Sequence, residues 1–134
     1  TFAKFFNAEI VICDKRRKRA NEIESMSIIG DVKGLDIVLI DDICDTAGTL
    51  TKAAALIMEN GANSVRAVCT HPVLSGNAYD MIENSALEEL IVTDTIPLKY
   101  VSSKIKVLSS ANLFARAIAN VNEHESISDL FAVD

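Results

Sequence analysis

Five apolar runs of strand length, separated by stretches with helical patterning, dominate this chain and narrow what it can fold into. The runs are residues 9–13 (EIVIC), 36–40 (DIVLI), 65–70 (VRAVCT), 90–93 (LIVT) and 105–108 (IKVL). Helical patterns occupy residues 48–60, 77–84 and 111–123. The runs are continuous and rich in Val and Ile, which predicts strands covered on both faces and hence a mainly parallel sheet with crossover helices. Gly61 after Asn60 marks a helix stop, and Ser109 and Ser110 are candidate caps for a helix starting near Ala111. The expected fold class is α/β: a doubly wound, Rossmann-like, mainly parallel sheet flanked by helices. Ligands of such sheets gather at the carboxyl ends of the strands, so the loops that follow strands are where chemistry is expected. A length of 134 residues suits one domain, and the absence of Trp makes an aliphatic core necessary.

Residues 14–35 break the rhythm. They lie between two strand runs without a long helical period, and a loop of that length in a compact domain is usually functional or mobile. Five of the thirteen basic residues sit together at its start, as Lys15-Arg16-Arg17-Lys18-Arg19. The chain as a whole is nevertheless acidic, with a net charge of −6, which argues against non-specific nucleic-acid binding. No apolar run approaches the roughly 18 residues of a membrane span. The start, Thr1-Phe2-Ala3-Lys4-Phe5-Phe6, lacks a Met and a signal-peptide pattern, and it reads as a chain entered within an element, incomplete at the N-terminus. Cys13, Cys44 and Cys69 are odd in number, lack CxxC spacing and adjoin apolar runs, so they are expected to be buried, reduced thiols of a cytoplasmic protein.

The most informative segment is Asp41-Asp42-Ile43-Cys44-Asp45-Thr46-Ala47-Gly48-Thr49. Asp41 and Asp42 close a strand and Thr49 opens a helix. Asp45, Thr46 and Thr49 offer side-chain oxygens, and Gly48 lets backbone approach a ligand. A helix N-terminus with hydroxyls beside it suits phosphate oxygens. Adjacent carboxylates suit vicinal hydroxyls, or a hydrated Mg²⁺ that offsets phosphate charge. A ribose 5-phosphate has that polarity, hydroxyls at one end and phosphate at the other. Taken singly, these residues read as solvated acids, a helix cap and a turn glycine; only the joint arrangement points to a site. His71, in Cys69-Thr70-His71-Pro72, follows a strand without a partner at metal spacing and is expected to be a hydrogen-bonded loop histidine.

The segment VLIDDICDTAGT resembles the phosphoribosyl diphosphate-binding motif of type I phosphoribosyltransferase folds. More narrowly, ICDKRR, IIGDVKG, VLIDDICDTAGTLTKAA, ENGA, CTHPVLSG and SISDLF, in that order, resemble the ribose-phosphate pyrophosphokinase family over almost the whole chain. The resemblance implies transfer of the diphosphoryl group of ATP to the anomeric hydroxyl of ribose 5-phosphate, with Mg²⁺ required. It places Asp41 and Asp42 at the ribose and Asp45, Thr46, Ala47, Gly48 and Thr49 at the 5-phosphate. It makes residues 14–35 a flexible catalytic loop in which Lys15 and Arg17 act on the phosphoryl charge; beyond them the sequence reads KRAN where many relatives carry a proline-containing stretch. Ser126, Ser128 and Phe131 match a regulatory site for phosphate and ADP, although Asp129 replaces an aromatic residue there.

On the same resemblance, residues 1–134 form the C-terminal phosphoribosyltransferase-like domain of a two-domain subunit in a homo-oligomer. The metal ligands and adenine contacts lie outside this chain, and the isolated fragment is expected to be inactive. Two alternatives share the loop: a phosphoribosyltransferase that consumes phosphoribosyl diphosphate, and a non-catalytic regulatory subunit associated with the synthetase. A sensor of phosphoribosyl diphosphate built on the same fold is a third, one that would need a nucleic-acid surface if it acted as a repressor.

Overall fold

The computed structural model describes residues 2–16 and 25–131. Four strands, β3 (Asp36–Cys44), β4 (Ser64–Pro72), β5 (Glu89–Thr93) and β6 (Ile105–Leu108), form a parallel sheet in the order β3-β4-β5-β6. Two further strands, β1 (Ile12–Arg16) and β2 (Ser25–Ile29), pair antiparallel as a separate ribbon. The helices are α1 (Phe2–Phe6), α2 (Gly48–Glu59), α3 (Ala78–Glu83) and α4 (Ala111–Asn122), and a 3₁₀ turn follows at Ser128–Leu130. The chain divides into two compact units, Val11–Leu108, which holds both sheets, and the described parts of residues 1–10 and 109–134.

The core of the Val11–Leu108 unit is aliphatic, as the composition requires. Helix α2 buries Leu50, Thr51, Ala53, Ala54 and Ile57, and β4 contributes Val65, Ala67 and Cys69 at alternate positions. Ala54 and Ala67 have no exposed surface, and small side chains at such positions let helix and sheet come close without voids. Ile82 from α3, Leu87, Leu90 and Val92 complete the cluster. At the far end of α2, Gly61 has φ 91° and its amide donates to the Met58 carbonyl at 3.0 Å, the left-handed stop expected of that glycine. Ser110 takes the N-cap position of α4 without a side-chain cap hydrogen bond, and the Ala111 amide donates instead to Ser109 Oγ at 3.3 Å.

Three features depart from the sequence expectation. The strand predicted over residues 9–13 begins later, at Ile12, and belongs to the antiparallel ribbon instead of the parallel sheet. Residues 14–35 were expected as a loop, yet β1 continues through Asp14, Lys15 and Arg16 and pairs with β2, where Ser27 faces Asp14 and Met26 faces Lys15. Pairing across a gap of eight residues supplies hydrogen bonds that no local periodicity announces. Val11, Cys13 and Ile28 of this ribbon pack against the core.

The third departure concerns the sheet itself. Its strand order does not reverse among the described residues, so winding proceeds one way only. Along the edge strand β3, Ile37 and Leu39 pack on the core, while Val38 and Ile40 are 55% and 46% exposed. The period-two alternation is present, but apolar residues on both faces conceal it in the sequence.

Truncating Ile57 removes the most enclosed contact between α2 and the sheet. Ile57→Ala is expected to cost about 2–5 kcal/mol, whereas Met58→Ala, one position along and 36% exposed, should cost under about 1 kcal/mol. Urea denaturation of the two variants would show equal losses if α2 did not pack through Ile57.

Candidate functional site

Strand β3 carries the paired acids and runs on to Cys44; residues 45–47 turn the chain, and α2 begins at Gly48. The segment singled out in the sequence is therefore one continuous strand–turn–helix at the carboxyl end of the sheet. Asp41, Asp42, Asp45, Thr46 and Thr49 are exposed, Gly48 is half-buried and Ala47 is buried.

Ala47 occupies the N-cap position of α2 with φ 62° and ψ 0°, a left-handed conformation that costs a residue with a Cβ roughly 1 kcal/mol. Its methyl lies in the core, and its carbonyl accepts from the Thr51 amide at 2.9 Å and from Thr51 Oγ1 at 3.0 Å. Those contacts hold the strained residue in place. An alanine cannot cap a helix through its side chain, and the first N–H groups of a helix have no partners within it. Gly48 is the converse case. Its φ is not positive, and an added Cβ would meet only Thr46 Oγ1 at 3.8 Å and Met81 Cε at 3.9 Å, ordinary contact distances. Neither backbone nor packing demands a glycine there; what its small size preserves is space beside the first turn of α2.

The two acids behave differently from a simple pair. Consecutive strand residues project to opposite faces, and Asp41 Oδ1 turns back to accept from the Asp42 amide at 2.9 Å. The Asp42 carbonyl in turn accepts from Cys69 Sγ at 3.6 Å. Asp41, Asp42 and Asp45 put three carboxylates within five positions. The described ion pairs, Arg66 with Glu88 and Glu89 and Lys106 with Glu89, lie at the amino ends of the strands, away from this concentration of charge. The field is felt nearby. Burial pushes the Cys44 thiol up to about 11, and Cys69, Asp41 and Asp45 push the same way. Cys69 is raised too, chiefly by burial. Cys44 and Cys69 are buried free thiols and Cys13 is half-buried.

A second loop supports the first. After Pro72 ends β4, Leu74 and Gly76 take φ values of 46° and 60°. The Leu74 amide donates to the Cys44 carbonyl at 3.1 Å and the Ser75 amide to the Asp45 carbonyl at 3.0 Å. Ser75 Oγ donates to Asp45 Oδ1. Sequence reasoning noted CTHPVLSG but assigned Ser75 no role; the turn residues after a strand were the available signal.

At the same end of the sheet, His71 Nδ1 lies 3.0 Å from Thr95 Oγ1, while Thr93 Oγ1 and Thr95 Oγ1 both donate to the Thr70 carbonyl, at 2.7 and 3.0 Å. His71 is thus hydrogen-bonded, as expected, although it belongs to β4 itself and not to a loop.

The remaining candidates are distributed as follows. Lys15 has its backbone in β1, and Arg17, Lys18 and Arg19 lie outside the described residues. Ser126 Oγ donates to Ser128 Oγ at 2.9 Å, the Ser128 amide donates to Ser126 Oγ at 3.1 Å, and Phe131 is 68% exposed. Among the described residues, no group of three or more His, Cys, Asp or Glu is arranged to hold a metal ion. No helix among them is long and apolar enough to cross a membrane.

The family model for the phosphoribosyl synthetase-associated domain matches residues 10–132. The chain belongs to that family. It is 55% identical over 130 residues to the ribose-phosphate pyrophosphokinase of Wolinella succinogenes, covering 97% of this chain and 42% of the relative. It is 56% identical over 129 residues to that of Campylobacter jejuni, covering 96% and 42%. The phosphoribosylpyrophosphate synthetase of Mycobacterium smegmatis superposes with a TM-score of 0.75 at 36% identity, over 84% of this chain and 37% of that one. The resemblance drawn from the six sequence motifs is thereby borne out. The chain spans about 42% of the length of the curated relatives it matches.

The Cys44 thiol gives a pH-dependent check on this site. Its folded pKa lies above the usual 9.0, so the folded state binds the proton more tightly. The associated stability is present at and below pH 9 and is lost as pH rises toward 11. At pH 8, iodoacetamide should alkylate Cys44 about a hundredfold more slowly in the folded protein than in urea. Similar rates in the two conditions would show that the thiol is neither buried nor raised.

Proposed function

We propose that this chain supplies the ribose 5-phosphate site of a ribose-phosphate diphosphokinase, with ATP as the diphosphoryl donor. The observation that carries the proposal is the β3–α2 turn: three carboxylates, a left-handed alanine that cannot cap, and a glycine whose smallness the fold does not need. In this reading the first turn of α2, with Thr46, Ala47, Gly48 and Thr49, receives the 5-phosphate through backbone N–H groups and hydroxyls. Asp41 and Asp42 accept from ribose hydroxyls, and Asp45 stands at the phosphate end of the turn.

The reaction forms a bond from the anomeric oxygen to the β-phosphorus of ATP, breaks the bond from the β-phosphorus to the α,β-bridging oxygen, and releases AMP and the hydroxyl proton. Negative charge grows on phosphoryl oxygens, and cationic side chains stabilise it there. A site holding three carboxylates needs that positive charge brought to it. Lys15 and Arg17 are the residues proposed for this role, on a segment (residues 14–35) that closes over the substrates and excludes water. Asp41 and Asp42 present hard oxygen donors of the kind a hydrated Mg²⁺ accepts, and among the described residues no three-ligand cage accompanies them. Mg²⁺ held mainly by the nucleotide would neutralise phosphate charge when bound.

The same reading makes residues 1–134 the C-terminal domain of a two-domain subunit, which assembles as a cytoplasmic homo-oligomer serving nucleotide biosynthesis. Ser126, Ser128 and Phe131 would contribute to a regulatory site for phosphate or ADP, supported by the ordered pairing of the two serines.

Two experiments on the full-length protein test this. Calorimetric titration with ribose 5-phosphate and Mg²⁺ should show binding that an Asp45→Ala/Thr49→Ala variant loses; retained binding in that variant would rule out the turn as the phosphate site. In a coupled AMP-release assay, Lys15→Ala and Arg17→Ala should each lower turnover by about a hundredfold or more, with ribose 5-phosphate affinity within about twofold. Unchanged turnover in both would remove the cationic segment from the mechanism. Consumption of phosphoribosyl diphosphate without diphosphokinase activity would favour a phosphoribosyltransferase.

A further inference from the structure

We infer that Ser75 is a positioning residue for the phosphate turn, acting through Asp45 from the loop between β4 and α3; the inference rests on the ribose 5-phosphate reading above. Three hydrogen bonds join the two loops across about thirty residues of sequence: Leu74 amide to Cys44 carbonyl, Ser75 amide to Asp45 carbonyl, and Ser75 Oγ to Asp45 Oδ1. The loop that donates them is itself fixed. Leu74 keeps its side chain in the core, 2% exposed, in a left-handed conformation that leucine rarely adopts, and the Ser75 carbonyl accepts from the Ala78 amide at 3.2 Å where α3 begins. A left-handed residue followed two positions later by Gly76 at φ 60° turns both amides toward the neighbouring turn.

What this does to Asp45 follows from helix chemistry. Asp45 stands three positions before Gly48, the first residue of α2. Aspartate is among the best helix-capping side chains, and near a helix start it bonds readily to backbone N–H groups two or three residues on. A carboxylate folded in that way would cover the N–H groups that the phosphate reading requires and add negative charge where the phosphate arrives. The Ser75 hydroxyl holds one Asp45 oxygen toward the other loop instead. The α2 cap position is filled by Ala47, which has no side-chain oxygen to compete. Ser75 thus keeps the anion site open by occupying the side chain best able to close it.

The test is steady-state diphosphokinase kinetics of the full-length protein, with calorimetric titration of ribose 5-phosphate alongside. Ser75→Ala should raise the KM and Kd for ribose 5-phosphate by about tenfold, the size expected for losing one hydrogen bond to a charged group. The KM for ATP and kcat should stay within about twofold. Ser75→Thr, which keeps the hydroxyl, should restore the wild-type KM. A double variant with Asp45→Asn should bind no more weakly than Asp45→Asn alone, because the serine acts through that carboxylate. Equal rises in both KM values, failure of the threonine variant to rescue, or additive losses in the double variant would overturn the assignment. Wild-type protein that does not bind ribose 5-phosphate would overturn the parent reading and this one with it. Normal wild-type binding beside an unchanged Ser75→Ala variant would overturn this one alone.

Discussion

The parallel pairing of β3 with β4 underlies everything else described. Its register runs from Asp36 opposite Ser64 to Cys44 opposite Pro72, so the two strands end together at one edge of the sheet. Parallel strands must each be followed by a chain reversal on the same side, and here those reversals are the turn after Cys44 and the loop after Pro72. A shift of two residues in the register would separate the Leu74 and Ser75 amides from the carbonyls they reach. Burial of Val65, Ala67 and Cys69 beneath α2 fixes that register, because a one-residue slip would turn them away from the helix.

On this frame the chain gathers a concentration of negative charge at the carboxyl end of β3. The acids at positions 41, 42 and 45 are exposed and close in sequence, while the ion pairs of Arg66 and Lys106 lie at the opposite end of the strands. These carboxylates add to the burial that raises the Cys44 thiol, and they would repel an anionic substrate. The arrangement makes chemical sense when positive charge comes with the substrate or from elsewhere in the protein. The chain's own concentrated supply of it is the basic run that begins at Lys15.

Much of this was legible in the sequence, and the rest was hidden for identifiable reasons. The four parallel strands and the helices after residues 48, 77 and 111 announced themselves because long apolar runs and periodic faces are local signals. The strand–turn–helix at 41–49 was legible because acids, glycine and hydroxyls have narrow uses at a strand end. Strand β2 was not, since Ser25-Met26-Ser27-Ile28-Ile29 acquires its strand character from pairing with β1. The early placement of β1 came from taking Glu9-Ile10-Val11 as strand by propensity, where the pairing begins only at Ile12. The Asp45–Ser75 contact was invisible because no periodicity links residues thirty apart. The left-handed state of Ala47 was hidden because that conformation is ordinarily signalled by Gly, Asn or Asp and not by alanine.

Gly48 separates two kinds of selection that usually act on the same residue. Most glycines at helix starts and turns are kept because the backbone cannot take its shape without them, so losing one unfolds the protein and ends its function together. Here a methyl group would fit at ordinary contact distance with no backbone penalty. A survey of variants scored by folding alone would pass over position 48 as tolerant, while on the proposed ribose 5-phosphate reading one scored by substrate use would single it out. The divergence between the two maps would trace where the chain has kept room for a molecule that is not itself.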